Sequence, residues 1–589
     1  MCGLPSYKPL FYAEFTYTIL TISLFFITPP KFNPKMSLQI IQPVPTPSGS
    51  AQYSALRDSL LQEFAASVPQ DLFLSNSIFE NPPKNVMAIP KECGLLSPQE
   101  IEITENYDAV GLAAAIASKK LTAVAVATAF SKRAIIAHQL TSCLSEWFMN
   151  EAIEQAKSLD AHLEKTGQTV GPLHGVPISL KEHIPLAGHW SSVGYLDTRR
   201  KDENDALMVS ILRKAGAVFY CKTNQPQAIM HLESTSPRGR VLNPHNIKLS
   251  AGGSTGGEAA LIALRGSVLG VGTDIGGSIR GPSGFCGIYG FKPTSYTLPM
   301  KDFLPGGFGA ELNVLCSTGP MCSSLRDMDL LMSTIISAKP WIGDPRVIPI
   351  PWTGLKTPQS PRQSLKIGFM MDDGDIIPQP PVTRALEWAR SKLQNSHSFT
   401  LKPFKPYRTA EAMKHIRLAY WPDGGKTVKG HLAVNDEPMF PLTKHITQDA
   451  EGPELGANDV LKQRLTRDEF RCDFSLHWEE QDVDIVICPV FVGPACTHET
   501  AFYWNYTALW NYVDYPGVVV PTLIKAQAKG EEKYSSSTPL SENCKHVRQL
   551  WEEGDFEGAP INLQIVARKH HDNDLFAALE QLKDVLELK

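Results

Sequence analysis

The chain has 589 residues, 43% of them apolar, and a formal net charge of -5. That length and apolar share suffice for a large buried core, and the near-balanced charge leaves no basic footprint for nucleic acid or an anionic membrane surface. The eleven cysteines show neither CxxC pairs nor Cys/His ligand spacing, so no metal site and no disulfide framework is indicated, and their odd count fits a reducing compartment.

Residues 1–35 differ in character from the rest of the chain. Phe15–Thr28 (FTYTILTISLFFIT) is an uncharged apolar run, followed by Pro29, Pro30 and then Met36. It is shorter than the roughly 20 apolar residues a spanning helix needs. As a secretory core its length fits, but only Lys8 precedes it as a positive charge and no A-x-A-like site comes after it. Three readings stay open: a membrane segment, a secretory segment, and an extraneous stretch ahead of a start at Met36. Any membrane association is expected only through residues 11–28, and the expected location is cytoplasmic unless that stretch directs the chain elsewhere.

Met36–Ser50, with Pro43, Pro45 and Pro47, reads as a loose linker. Tyr53–Val68 has helical apolar spacing, and Ser97-Pro-Gln-Glu has the form of a capping box opening a short helix. Val110–Ala117, Ala123–His138 and Glu146–Lys165 follow as helices. Gly171–Ile184 (GPLHGVPISLKEHI) changes character, with a β-like run leading into Lys181. A helix near Asp205–Ala215 and a compact strand at Ala217–Cys221 come next. This alternation predicts an α/β layer architecture, in which sites form beyond the carboxyl ends of strands.

Beyond Thr294 the expected elements are a helix at Ser323–Ser337, a Pro-rich loop over Lys339–Ser364, and a strand at Leu365–Met370. Helices at Val382–Gln394 and Thr409–Leu418 follow, then a surface excursion over Pro422–Gly456. Asp484–Pro489 and Val518–Pro521 read as buried strands ending at proline, and Leu575–Leu586 as a closing amphipathic helix.

The chemistry gathers in Gly252–Gly290, where two glycine-flanked serines, Ser254 and Ser278, bracket an apolar helix and a short strand. Ser254 matches G-x-S-x-G, but Pro244–Ser250 before it is a poor central strand and no downstream Asp/His pair stands out. No Lys follows the last glycine of GGSTGG, which argues against a phosphate loop. Around Ser278, TDIGGSIR could turn the amides of Ile275, Gly276, Gly277 and Ser278 toward one point, as an oxyanion hole requires; a helix N-cap is the competing reading. A serine needs a base, and Lys181 could serve if burial lowered its pKa by about 3 units. Its alternatives are an ion pair with Glu182 or simple exposure. Ile229, Met230, Phe502, Tyr503 and Trp504 could line an acyl pocket, against ordinary core packing.

Taken together, GGSTGGEAALIALRGSVLGVGTDIGGSIRGPSGFCGIYGFKPT resembles the signature block of the amidase signature family. GPLHGVPISLKE resembles its lysine segment, and CKTNQPQ, LNPHN, DIVICP, YPGVVVPT and GAPINLQIVARKHHD follow in the expected order. The flavour is that of its fungal acetamidase-like and fatty-acid-amide-hydrolase-like branch. The resemblance implies an α/β/α sandwich with a mixed, largely parallel central sheet and an N-terminal helical region. Residues 36–100 would then be linker and helices packed on a core formed by 101–589, the amidase domain. It implies cofactor-free and metal-free hydrolysis of a small-molecule amide through an acyl-enzyme. Lys181 matches the family lysine, Ser254 the bridging serine on a cis peptide, and Ser278 the nucleophile. Ile275, Gly276, Gly277 and Ser278 match the oxyanion loop, and Thr273, Asp274 and Arg280 its polar support. Ile229, Met230, Gly252 and Gly253 are expected to contact substrate, and a homodimer is left open. The competing expectation is an amidotransferase-subunit-like or catalytically silent binding protein of the same fold. Ser234–Leu242 departs from the family pattern, carrying a Pro and two Arg, and is expected to alter the pocket wall.

Overall fold

The alternating segments assemble an eleven-stranded sheet in the computed structural model, which describes residues 38–306, 311–358, 364–448, 454–536 and 538–589. The readings for residues 1–35 lie outside the described residues. The strands are β1 (Leu144–Trp147), β2 (Pro177–Lys181), β3 (Val218–Thr223), β4 (Leu269–Asp274), β5 (Tyr289–Lys292), β6 (Ser317–Cys322), β7 (Leu365–Phe369), β8 (Phe399–Pro403), β9 (Ile485–Pro489), β10 (Gly517–Lys525) and β11 (Pro560–Val566). Their order across the sheet is β1-β3-β2-β4-β6-β5-β10-β11-β9-β7-β8. Parallel pairing is gathered in two blocks, β3-β2-β4 and β9-β7-β8, and antiparallel pairs connect and flank them. The mixed sheet is therefore parallel within those blocks and antiparallel between them.

Strands β2, β3, β4, β6, β9 and β11 are buried along their whole length. A strand buried at every position must be covered on both faces, which requires a helical layer on each side of the sheet. The helices that bear on the site are α1 (Ala123–Thr141), α2 (Gly256–Ala263), α3 (Arg280–Cys286), α4 (Thr409–Tyr420) and α5 (Asn505–Tyr512). Helix α1 starts at Thr122, whose hydroxyl accepts from the Ala125 amide, and is buried from Arg133 to its end, so it is a core helix rather than a surface one. Ile41, Val68, Leu72 and Leu96 belong to the same hydrophobic cluster as the sheet, and Leu38–Lys589 forms one compact unit.

Ser97 does make a capping box with Glu100. Elsewhere the structure moves several expected boundaries. Glu146 lies in edge strand β1, and the helix expected from that point begins at Met149. The expected excursion over 422–456 contains helices at Lys426–Val434 and Pro441–Thr447, which bury Val428, Leu432, Leu442 and Ile446. Among the described residues no helix is long and apolar enough to cross a membrane.

Candidate active site

Lys181 is the last residue of β2, which lies between β3 and β4. Its side chain is fully buried. Burial drives the ammonium down to about 7, partly opposed by Cys316, Asp274 and Glu258. Its Nζ lies 2.6 Å from Ser254 Oγ and 3.2 Å from Thr273 Oγ1. Ser254 follows a two-stranded ribbon (Leu242–Asn243 with Asn246–Ser250) that stands outside the central sheet, so it is not on the strand-to-helix elbow of an α/β hydrolase. The Gly253–Ser254 peptide is cis. A Cβ on Gly253 would meet the carbonyl oxygen of His231 at 2.4 Å, so only glycine allows this close approach.

Ser278 lies in the turn between β4 and α3, and Asp274 ends β4 beneath that turn. Arg280 Nε and Nη2 each donate to the Asp274 carboxylate at 3.0 Å, and Asn511 Nδ2 of α5 donates to it at 2.8 Å. Burial alone would raise this carboxyl, but Arg280, Lys292 and Asn511 outweigh it and hold the group well below the usual carboxylate range. The charged Asp274 in turn accepts from the amides of Gly277 (2.8 Å), Ile279 (3.1 Å) and Arg280 (3.3 Å), which fixes the turn.

Two side chains hold the outer side of the same turn. Tyr420 of α4 donates to the Ile275 carbonyl at 3.1 Å, and Thr507 of α5 donates to the Gly276 carbonyl at 2.7 Å. Of the four amides expected around one point, that of Gly277 is thus taken by Asp274. Those of Ile275, Gly276 and Ser278 have no hydrogen-bond acceptor among the described residues.

Ser254, Thr273, Ile275 and Ser278 line a cavity of about 330 Å³. Its wall is largely apolar, from Ile229, Met230, Leu298, Phe303, Val314 and Leu315, with two polar pairs, Tyr296–Glu311 and Asp344–Arg346. Ile229 adopts a φ of 56°, uncommon for a β-branched residue, a kind of strain that gathers at ligand sites. Gly252 and Gly253 do not reach the cavity and instead shape the backbone beneath Ser254. Nor do Phe502, Tyr503 and Trp504 line it; Trp504 packs beside Gly276, and Tyr503 Oη pairs with His546 Nδ1 at 2.8 Å. The departure segment 234–242 is likewise absent from the wall. Its Arg238 pairs with Glu182 at 3.1 Å, and its Arg240 bridges Glu233 and Glu499. Glu182 therefore pairs with Arg238, not with Lys181.

Three groups beside the lysine carry no signal in the sequence. His183 and Cys316 line the cavity, and burial pushes the Cys316 thiol up to about 12. Glu258, on α2, is fully buried and accepts from the hydroxyls of Ser179 and Thr223. Burial raises its carboxyl to about 7 against the pull of those hydrogen bonds and of Lys181. Among the described residues no group of three or more His, Cys, Asp or Glu side chains is placed to hold a metal ion.

Comparison with known proteins supplies the context for this geometry. The Amidase family model matches residues 125–576. A Schizosaccharomyces pombe protein named as a putative amidase is 40% identical over 541 residues, 91% of this chain and 98% of the relative. An acetamidase of Aspergillus oryzae is 35% identical over 85% of this chain and 93% of its own length. Among solved structures, a fatty acid amide hydrolase superposes with a TM-score of 0.85 at 30% identity, covering 92% of this chain and 97% of that one.

Proposed function

The chain belongs to the amidase signature family of amide hydrolases, and from that premise we propose that it cleaves a carboxylic amide by a Ser278–Ser254–Lys181 relay. The observation that carries the reading is the buried Lys181 amine, 2.6 Å from Ser254 Oγ, beside a cavity that Ser278 also lines. A pKa of about 7 leaves about half of the amine neutral at neutral pH.

In the neutral form the Nζ lone pair takes the proton of Ser254, and Ser254 takes that of Ser278 as its oxygen attacks the amide carbon. The developing oxyanion is received by the amides of Ile275, Gly276 and Ser278, and each such donor is worth about 10²–10³ in rate. The relay then returns the proton to the leaving nitrogen, the C–N bond breaks, and Ser278 is left acylated. Water attacks the ester and gives its proton to the relay, which returns it to Ser278 Oγ as the C–O bond breaks and the acid leaves. Asp274 and Arg280 act through the turn, holding the amides in place.

The apolar wall favours an apolar acyl group, and at about 330 Å³ the space exceeds what an acetyl group fills. Acyl p-nitroanilides graded from acetyl to decanoyl test both points. Turnover should rise from acetyl toward the longer chains and fall to background in Ser278→Ala and Lys181→Ala. Near-wild-type turnover in either variant would end the proposed mechanism.

A further inference from the structure

His183 stands two residues beyond Lys181, fully inside the protein and edge-on to Phe303, with ring centroids 5.8 Å apart. Its hydrogen bonds can be assigned a direction from a fixed anchor. Gln225 Nε2 donates to the main-chain carbonyl of Ser192 at 2.7 Å, and a carbonyl can only accept, so the amide is not flipped. Gln225 Oε1 therefore faces His183 Nδ1 at 3.1 Å and must accept from it. The proton of the neutral ring is then on Nδ1, and Nε2 is a bare acceptor. That nitrogen lies 3.4 Å from Thr273 Oγ1, so the threonine hydroxyl donates to it. The threonine oxygen, its one proton spent, can only accept from Lys181 Nζ at 3.2 Å.

Resting on the hydrolase reading above, we propose that His183, fixed as its Nδ1–H tautomer by Gln225, is a positioning residue that turns Thr273 into an acceptor and so leaves the Lys181 lone pair for Ser254. Neutral Lys181 has two N–H bonds and one lone pair. If Thr273 could donate to Nζ, it would compete with Ser254 for that lone pair, and the relay would lose its base. Burial, reinforced by Lys181, holds the imidazole well below its usual value, so the ring stays in the neutral form the assignment needs. The other titratable groups facing the pair are Lys222 toward His183, and Cys316, Asp274 and Glu258 toward Lys181.

The test is a double-variant cycle of His183→Phe and Thr273→Val, read as kcat, KM and the pH profile of kcat/KM on the best p-nitroanilide of the series. Phe keeps a flat ring beside Phe303 but offers no acceptor. His183→Phe should lower kcat about tenfold with little change in KM. Because Thr273 would then stabilise the unprotonated amine, the acidic limb should move to lower pH. In the Thr273→Val background the same change should do nothing further. Wild-type kcat and an unmoved limb in His183→Phe, or an equal loss in both backgrounds, would overturn the assignment. Should His183→Phe fail to fold, Gln225→Leu leaves the ring in place and frees its tautomer. It should show the same fall in kcat and the same shift, and wild-type behaviour there overturns the assignment too. Ser278→Ala and Lys181→Ala separate the two readings. If both are dead while His183→Phe is normal, the positioning role fails and the hydrolase reading stands; if either is active, the hydrolase reading itself fails.

Discussion

Lys181 and Glu258 are both fully buried, and each is pulled toward neutrality. Burial lowers the amine to about 7 and raises the carboxyl to about 7. A carboxylate at Glu258 favours the ammonium of Lys181, so it sets how much of the proposed base is free. Removing that charge should lower the pKa of Lys181. Glu258→Gln should therefore shift the acidic limb of kcat/KM to lower pH with the plateau retained, and a titration across pH 5–9 reads it. An unmoved limb would mean that Glu258 is neutral and acts only through its hydrogen bonds. Neither Glu258 nor His183 is legible in the sequence, because their partners lie far along the chain. Thr223 is 35 residues from Glu258, and Gln225 is 42 from His183. The proposed relay residues Lys181, Ser254 and Ser278 stand out in the sequence because each sits in a run whose glycines or prolines already demand an unusual backbone.

The turn between β4 and α3 is the element on which the proposed oxyanion donors depend. Asp274 grips it from inside through three amides, while Tyr420 and Thr507 hold two carbonyls from outside. Gly277 has a φ of +135°, and a Cβ there would meet Thr507 Oγ1 at 2.2 Å and its Cβ at 2.8 Å. Gly277→Ala combines a backbone penalty of about 1–3 kcal/mol with displacement of α5. It should lower Tm and reduce kcat at least about tenfold. Gly530 is the control, since its φ of +92° carries similar strain in open space. Gly530→Ala should lower Tm modestly and leave kcat unchanged, measured by thermal melts and turnover on the same preparations. Equal losses of kcat in both would detach the turn from catalysis.

At the scale of the molecule, the buried strands β2, β3 and β9, the buried Gly517–Val520 part of β10 and most of the flanking helices follow from apolar runs and their periodicity, while β10 runs on past Pro521, its expected end, to Lys525. What escapes the sequence has physical causes. Pro320 in β6 would ordinarily argue against a central strand, yet β6 lies between β4 and β5, with Pro320 opposite Val271. Pro441 falls in the expected surface excursion and Pro380 just ahead of the helix expected from Val382, but each occupies the first turn of a helix, where the missing amide costs nothing. β8 is half exposed and ends at Pro403, so its pattern is that of an edge rather than a core strand. The cavity is the least legible part, being assembled from segments near 229, 275, 300, 315 and 420.

The proposed hydrolysis rests on one chemical requirement, an unprotonated Lys181 amine able to activate Ser278 through Ser254. The rate of covalent labelling by a fluorophosphonate, followed against pH in wild type and Lys181→Met with the modified residue mapped, tests it most directly. The label should be on Ser278, with a rate that rises through about pH 7 in wild type and falls to background at every pH in the variant. Labelling of another residue, or a Lys181→Met rate equal to wild type, would contradict the account.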